Sequence, residues 1–279
     1  MLVMDRGELY DMHVHTPFSD GQHDIDTVLK AMIRHGVKIV GFADHIFPTQ
    51  WCYSKAHLEY RKKVLRRYQR KYPEIRILVG GEIDLWPNGS LTLPRGVSPD
   101  DFDYLLAAHH HTVPKQLEFV TKRTPYAARW LWKHSPYLRL NKRLWKLANR
   151  ACFARYHVDV WAHPQEGMPR FMTREEYKEF VLLCKTHRVA LELNQFPALG
   201  RHPVQHFVQK YHRNLEVLLE YGQKYHLQFA VSSDFHGFAK NWEQRDLIEC
   251  IDPMFDLAAA WDLELLDPRK FLPENTGKE

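Results

Sequence analysis

Short apolar runs alternate along the chain with longer segments whose apolar positions recur every three or four residues. This alternation is typical of βα units that build a mostly parallel sheet. Seven strands are predicted, over residues 9–15, 38–44, 76–83, 104–110, 158–163, 190–194 and 228–233. Helices are predicted over residues 25–35, 57–71, 173–186 and 205–225, with an amphipathic stretch near Asp246. The order of these elements indicates an α/β fold.

Polar side chains fall at, or just beyond, the carboxyl end of the predicted strands. They are His13, His15, Asp44, His45, Glu82, His110, His163, Asn194, Asp234 and His236. In parallel barrels this end carries the active site. Buried carboxylates and imidazoles gathered there would be costly unless they were paired or bound metal ions. We therefore expect a polar site at this end of the sheet.

Two pairs with the same spacing give the sharpest signal for metal binding. His13 and His15 lie two residues apart on a strand, so both imidazoles can reach one metal ion; a surface pair of histidines is the alternative. Asp234 and His236 repeat this spacing after the last predicted strand. Glu82 ends an apolar strand, where its carboxylate could bridge two cations or pair with an arginine.

The chain resembles the polymerase and histidinol phosphatase (PHP) superfamily in segments that follow the family's order. These are H-V-H-T with S-D-G, F-A-D-H, G-G-E-I, A-A-H-H-H, A-H-P, L-E-L-N and S-D-F-H. The likeness runs from about residue 9 to residue 237 and is greatest to stand-alone histidinol-phosphatase-like members. It implies a distorted (β/α)7 TIM-like barrel, with residues 1–279 as a single PHP-type domain. A basic helical insertion at 112–156, between strands 4 and 5, and a C-terminal extension at 253–279 complete this expected domain.

The resemblance also implies a site of two to three divalent metal ions, for which Zn, Mn and Fe all suit the donors. The first ion would be bound by His13, His15, Glu82 and Asp234. The second would be bound by Glu82, His110 and His163, and the third by Asp20, His45 and His236. The expected catalytic residues are Glu82, Asp234 and His236.

The triple histidine and three other residues near the strand ends are also assigned roles. His110 is favoured over His109 as the ligand from the triple histidine, and His109 is expected to point toward the barrel wall. Asn194 and Arg201 are candidate substrate contacts, because an arginine fork suits a phosphate group. A solvated loop position is the alternative for Arg201. Glu192 is expected to have a structural role.

Positive charge is concentrated in the insertion. Residues 112–156 contain eleven Lys and Arg against one acid, so a segment of charge +10 joins a remainder of −5 in a chain of net charge +5. After Pro136, an apolar helix face is expected from Leu140, Leu144, Leu147 and Ala151. The segment is interpreted as surface helices packed on the barrel, as a cap that attracts an anionic substrate, or as a nucleic-acid-binding face.

The expected function is hydrolysis of a phosphate monoester by a metal-activated hydroxide, and the resemblance suggests histidinol phosphate as substrate. One alternative is a nuclease or nucleotide phosphoesterase of the same superfamily. Another is a non-catalytic, metal-stabilised module that binds nucleic acid or protein. The sequence has no apolar run of membrane-spanning length, no secretory signal pattern and no metal-spaced cysteine pair, so a cytoplasmic protein without a membrane partner is expected.

Overall fold

Eight parallel strands follow one another in chain order within the part of the chain that the structure describes. The computed structural model describes residues 8–47, 50–51, 54–110, 136–164, 168, 172–194, 216–237 and 251–272. The strands are β1 (Tyr10–Val14), β2 (Ile39–Phe42), β3 (Arg76–Asp84), β4 (Tyr104–Ala108), β5 (Val160–Trp161), β6 (Ala190–Asn194), β7 (Gln228–Ser232) and β8 (Glu264–Leu265). This order confirms the predicted α/β barrel architecture.

The sheet curls until β1 meets β7. Val14 forms a parallel bridge with Phe235, just beyond β7, and the main-chain N–H of His15 donates to the Phe235 carbonyl at 2.9 Å. The two-residue strand β8 pairs with the first two residues of β7 instead. β8 lies in the segment predicted as a C-terminal extension, and the sequence did not predict it. The barrel is therefore distorted, with β1 and β7 in contact at their carboxyl ends.

Six α-helices and two short 3-10 helices, Pro99–Asp101 and Pro268–Phe271, are present in the described ranges. The α-helices are, in chain order, α1 (Ile25–His35), α2 (Lys55–Lys71), α3 (Pro136–Arg155), α4 (Arg174–His187), α5 (residues 216–224) and α6 (Asp252–Ala260). α1 has the predicted bounds, and α2 and α4 agree within two residues. The predicted stretch near Asp246 and the first part of the predicted helix 205–225 lie outside the described residues. No helix in the described ranges is long and apolar enough to cross a membrane.

A buried tyrosine fills the barrel interior. The Tyr104 hydroxyl, on β4, donates to the main-chain oxygen of Met12 on β1 at 2.5 Å. Its ring passes over two glycines: a Cβ on Gly41 would lie 2.0 Å from the hydroxyl, and one on Gly80 would lie 2.4 Å from Cζ. Because no real Cβ packs so closely, glycine on β2 and β3 lets Tyr104 span the interior.

Helix α3 forms the described part of the basic insertion between β4 and β5. Its buried side chains are those of Asn141, Trp145, Ala148, Asn149, Cys152 and Phe153. The expected apolar face was wrong: Leu140 is 52% exposed and Leu147 is 50% exposed. The Trp145 ring packs against Phe180 of α4 at 4.8 Å between centroids. Aromatic rings bury more area than leucines, so this contact decides which face of α3 turns inward.

Candidate metal centre

The side chains predicted as metal ligands converge at the carboxyl ends of the strands. β1 and the turn after it supply His13, His15 and Asp20; the ends of β2 and β3 supply His45 and Glu82; the segments after β4, β5 and β7 supply His110, His163, Asp234 and His236. His163 and Asp234 have positive φ angles of 28° and 53°. Such backbone strain at a non-glycine residue persists where surrounding contacts hold it, and it is concentrated at functional sites.

Glu82 lies at the centre of this donor cluster and is buried. Its Oε1 is 2.7 Å from His163 Nε2 and 3.3 Å from His110 Nε2. Its Oε2 is 2.8 Å from His45 Nδ1 and 3.4 Å from His13 Nε2. Burial alone would raise the pKa of Glu82, but the surrounding imidazoles hold it well below its usual value. Each carboxylate oxygen thus faces a different pair of histidines, an arrangement that allows one carboxylate to bridge two cations.

Three groups of donors could each hold a metal ion, because their ligand atoms all lie within 4.8 Å of one another. The groups are His13, His15 and Asp234; His45, Glu82 and His110; and His15, Asp20, His45 and His236. They contain eight of the nine predicted ligands in a slightly different partition, since His45 is grouped with Glu82 and His15 with Asp20. The ninth, His163, belongs to none of the three groups, although its Nε2 lies 2.7 Å from Glu82 Oε1. Buried imidazoles and carboxylates that converge in this way match the donor chemistry of Zn, Mn and Fe sites.

The Glu192 carboxylate contacts two of the predicted ligands, His13 and His163, and helps to fix their positions. Its buried Oε1 lies 2.7 Å from His13 Nδ1 and accepts a 2.6 Å hydrogen bond from the Ser232 hydroxyl. Its Oε2 accepts a bond from the main-chain N–H of His163 and another from Asn194 Nδ2 at 3.1 Å. A carboxylate behind a ligating imidazole fixes the tautomer and the ring orientation. Asn194, a candidate substrate contact, is thus buried and donates to the same carboxylate that contacts His13 and His163.

Arg61 of α2 is a supporting residue that the sequence did not single out. Its guanidinium donates to Asp44 Oδ2 at 2.7 Å and to main-chain oxygens of β2 and β3. Asp44 also accepts from the main-chain N–H of Thr16 at 2.7 Å and from the Ser19 hydroxyl at 2.9 Å. This buried pair therefore fixes the turn that carries Asp20. Arg61 stands at an apolar position of α2, and that placement is the signal that could have identified it.

The first two residues of the triple histidine point in different directions. His110 Nδ1 lies 3.1 Å from Asp84 Oδ1, and its Nε2 faces Glu82. His109 Nε2 lies 3.3 Å from Asn149 Oδ1 on α3, and burial lowers the pKa of His109 to about 4. His109 is therefore neutral and turned away from the donor cluster, as the sequence predicted.

The donor cluster opens to solvent on one side. Asp20 is 35% exposed at its side chain, and the side chains of His236 and His45 are partly exposed. Glu82, His13 and His163, by contrast, are buried. A substrate would therefore approach past Asp20 and His236. Arg201, the other candidate substrate contact, lies outside the described residues.

Comparison with known proteins identifies the family. A family model for the PHP domain matches residues 11–260. This chain belongs to the PHP domain family. The fold is similar to that of a histidinol phosphate phosphatase from Lactococcus lactis subsp. lactis Il1403, solved with Zn, L-histidinol and phosphate. The TM-score is 0.61, with 17% identity, over 93% of this chain and 95% of that one. Family membership and the donor cluster together support the predicted metal-dependent phosphoesterase.

A second relative is named for polymerase and exonuclease activities. Over 195 residues the chain is 25% identical to the DNA polymerase/3'-5' exonuclease PolX of Bacillus subtilis (strain 168). The match covers 67% of this PHP-family chain and 29% of that protein. The chain thus spans less than a third of the length of this curated relative, and most of that relative has no counterpart in the match.

Proposed function

We propose that this PHP-family chain is a phosphatase that hydrolyses a small phosphate monoester, with histidinol phosphate as the first candidate substrate. The observation that carries this proposal is the buried carboxylate of Glu82, set among four imidazoles at the open end of the barrel. A phosphate monoester brings its own negative charge, and its hydrolysis without a catalyst is among the slowest known reactions. Hydrolysis therefore requires a site where bound cations neutralise the charge of the phosphate group in the transition state.

Two or three divalent ions would be held by His13, His15, Asp20, His45, Glu82, His110, His163, Asp234 and His236. Ions of this kind lower the pKa of a bound water from 15.7 to about 7 and neutralise charge on a phosphoryl group. Glu82 would bridge two of the ions, since its two oxygens face different histidines. Glu192 would hold the His13 ring in its ligating orientation through Nδ1.

The exposed side of the cluster would receive the phosphate group. Asp20 and His236 border the opening, and His45 lies between Asp20 and Glu82, with one ring nitrogen facing each carboxylate. The buried side, with His13 and His163, would exclude bulk water and keep the donors fixed. Electrostatic contacts are stronger in such a shielded site than in water.

The proposal is tested by measuring phosphate release from histidinol phosphate, a nucleoside monophosphate and a short single-stranded oligonucleotide, with Zn or Mn added. Glu82→Gln removes the central charge at nearly constant shape and is expected to lower kcat at least 100-fold. Glu74→Gln makes the same chemical change at an exposed position and serves as the matched control. An absence of phosphate release from every substrate, with either metal, would contradict the proposal.

A nuclease is the second candidate, and the exposed cations of α3 favour it. Arg139, Arg143 and Arg150 are exposed on this helix, and a basic surface attracts nucleic acid. A nuclease would release nucleotides from the oligonucleotide, whereas the proposed phosphatase releases inorganic phosphate from the monoesters. A module that uses metal ions for stability alone would release neither, and the assembled donor cluster makes this third alternative less well supported.

A further inference from the structure

Three partly exposed aromatic rings lie on two turns beside the donor cluster. Phe47 and Trp51, just after β2, form an antiparallel bridge with two main-chain hydrogen bonds of 2.9 Å. Trp86 lies in the turn after β3, where its main-chain N–H donates to the Ser90 carbonyl at 2.8 Å. The rings of Phe47 and Trp86 are 6.3 Å apart between centroids. We call Phe47, Trp51 and Trp86 the aromatic platform.

The aromatic platform is continuous with the donor cluster. The Trp51 ring stacks on the His45 imidazole with 4.8 Å between centroids and 22° between planes. Trp86 stands two residues beyond Asp84, which accepts a 2.6 Å hydrogen bond from the main-chain N–H of His110. Both turns therefore leave the barrel next to residues that face Glu82.

The exposure of Trp86 has no structural explanation within the described fold. Its side chain is 47% exposed, although a tryptophan in water leaves a large apolar area unburied. The Trp51 ring holds the His45 imidazole in place by stacking, which explains a tryptophan at position 51. Trp86 has no such contact with a predicted ligand, and among the described residues its ring lies beside Phe47. Exposed apolar area next to a polar site is typical of a ligand-binding surface.

On the basis of the phosphatase activity proposed above, we infer that the aromatic platform binds a flat aromatic or heteroaromatic ring in the alcohol part of the substrate. Aromatic rings pack well in offset-stacked and edge-to-face arrangements, and tryptophan offers the largest face for such contacts. With the phosphate group at the donor cluster, the ring lies over the turns after β2 and β3. The site then selects phosphate monoesters by the shape of their alcohol.

The inference is tested with two esters of equal intrinsic reactivity, 2-phenylethyl phosphate and 2-cyclohexylethyl phosphate. Both release a primary alcohol, so a difference in kcat/KM reports recognition of the ring. The wild-type chain is expected to prefer the phenyl ester about 5- to 10-fold, in line with the usual strength of aromatic stacking. Trp86→Leu and Trp51→Leu should bring this ratio close to one, and Trp51→Phe should retain most of it.

Trp261→Leu provides the matched control, because Trp261 follows α6 and precedes β8, near the amino ends of the strands. Equal kcat/KM for the two esters, or an unchanged ratio in Trp86→Leu, would overturn the inference. Calorimetric binding of 2-phenylethylphosphonate and 2-cyclohexylethylphosphonate to the metal-loaded protein separates this inference from the activity. Failure of the proposed phosphatase is judged from histidinol phosphate and the other substrates named above. Equal affinity for the two phosphonates rejects the aromatic platform whether or not any ester is hydrolysed.

Discussion

Replacement of Arg61 by methionine is expected to destabilise the fold and to loosen the turn that carries Asp20. Arg61 is 2% exposed and Asp44 is 1% exposed, so their ion pair is shielded from water. Methionine fills the space of the arginine stem but leaves the Asp44 carboxylate without its cation. Removal of one member of a buried pair costs about 3–5 kcal/mol. Because Asp44 keeps its bonds from Thr16 and Ser19, we expect a loss of about 3 kcal/mol in the free energy of unfolding.

Urea denaturation of the wild type, Arg61→Met, Asp44→Asn and the double variant measures this loss directly. The amide of Asp44→Asn still accepts from the Thr16 N–H, and it carries no charge that needs Arg61. The double variant should therefore be more stable than the sum of the single losses predicts, with a coupling free energy above about 1 kcal/mol. A loss below about 1 kcal/mol in Arg61→Met, together with additive behaviour, would refute the argument, because the pair would then resemble an exposed one.

Three other substitutions test separate parts of the fold and the site. Gly41→Ala should lower the free energy of unfolding by about 1–3 kcal/mol through its clash with the Tyr104 hydroxyl; an equal loss in a Tyr104→Phe background would contradict this cause. Glu176→Gln keeps the helix cap of α4 and removes the ion pairs to Lys142 and Lys146 of α3. The free energy of unfolding should therefore fall by about 0.5–1 kcal/mol at pH 7. The pKa of Glu176 is lowered from its usual 4.5, so the ion pairs stabilise the fold above pH 4.5. This stabilisation is lost as the pH falls through the lowered pKa. The difference in free energy of unfolding between wild type and Glu176→Gln should therefore be smaller at pH 3 than at pH 7. His109→Leu should destabilise the chain by about 1–3 kcal/mol by removing the hydrogen bond of the buried Asn149 Oδ1, with no loss of bound metal; a fall in metal content on elemental analysis would favour His109 as a ligand.

The sequence pattern predicted most of the barrel, because each of β1 to β7 contains a largely apolar run with polar residues at or just beyond its carboxyl end. β8 was not predicted, since two residues carry no periodic signal and their pairing depends on β7. The buried face of α3 was predicted incorrectly because Leu140 and Leu147 have the right spacing. Packing of Trp145 against α4 decides that orientation, and such a contact between distant segments cannot be deduced from local spacing.

The candidate donors were predictable because polar residues at strand ends are rare enough to be noticed one by one. Their mutual distances depend on the curl of the sheet, which brings His13 of β1 near Asp234 beyond β7 at 3.5 Å. Support of the site by a side chain from a helix is harder to infer, because the sequence does not show where the helix packs on the sheet. Arg61 is the example: a single arginine on α2 reaches Asp44 and two strands, and sequence spacing relates it to none of them.

The metal content of the purified chain, measured by elemental analysis beside Glu82→Gln, tests the central claim most directly. The wild type is expected to retain two to three divalent ions per chain after dialysis against metal-free buffer. Glu82→Gln should retain at least one fewer, because the amide cannot bridge two cations, and Glu74→Gln should match the wild type. A wild-type chain that retains no divalent ion after loading with Zn or Mn would contradict the account.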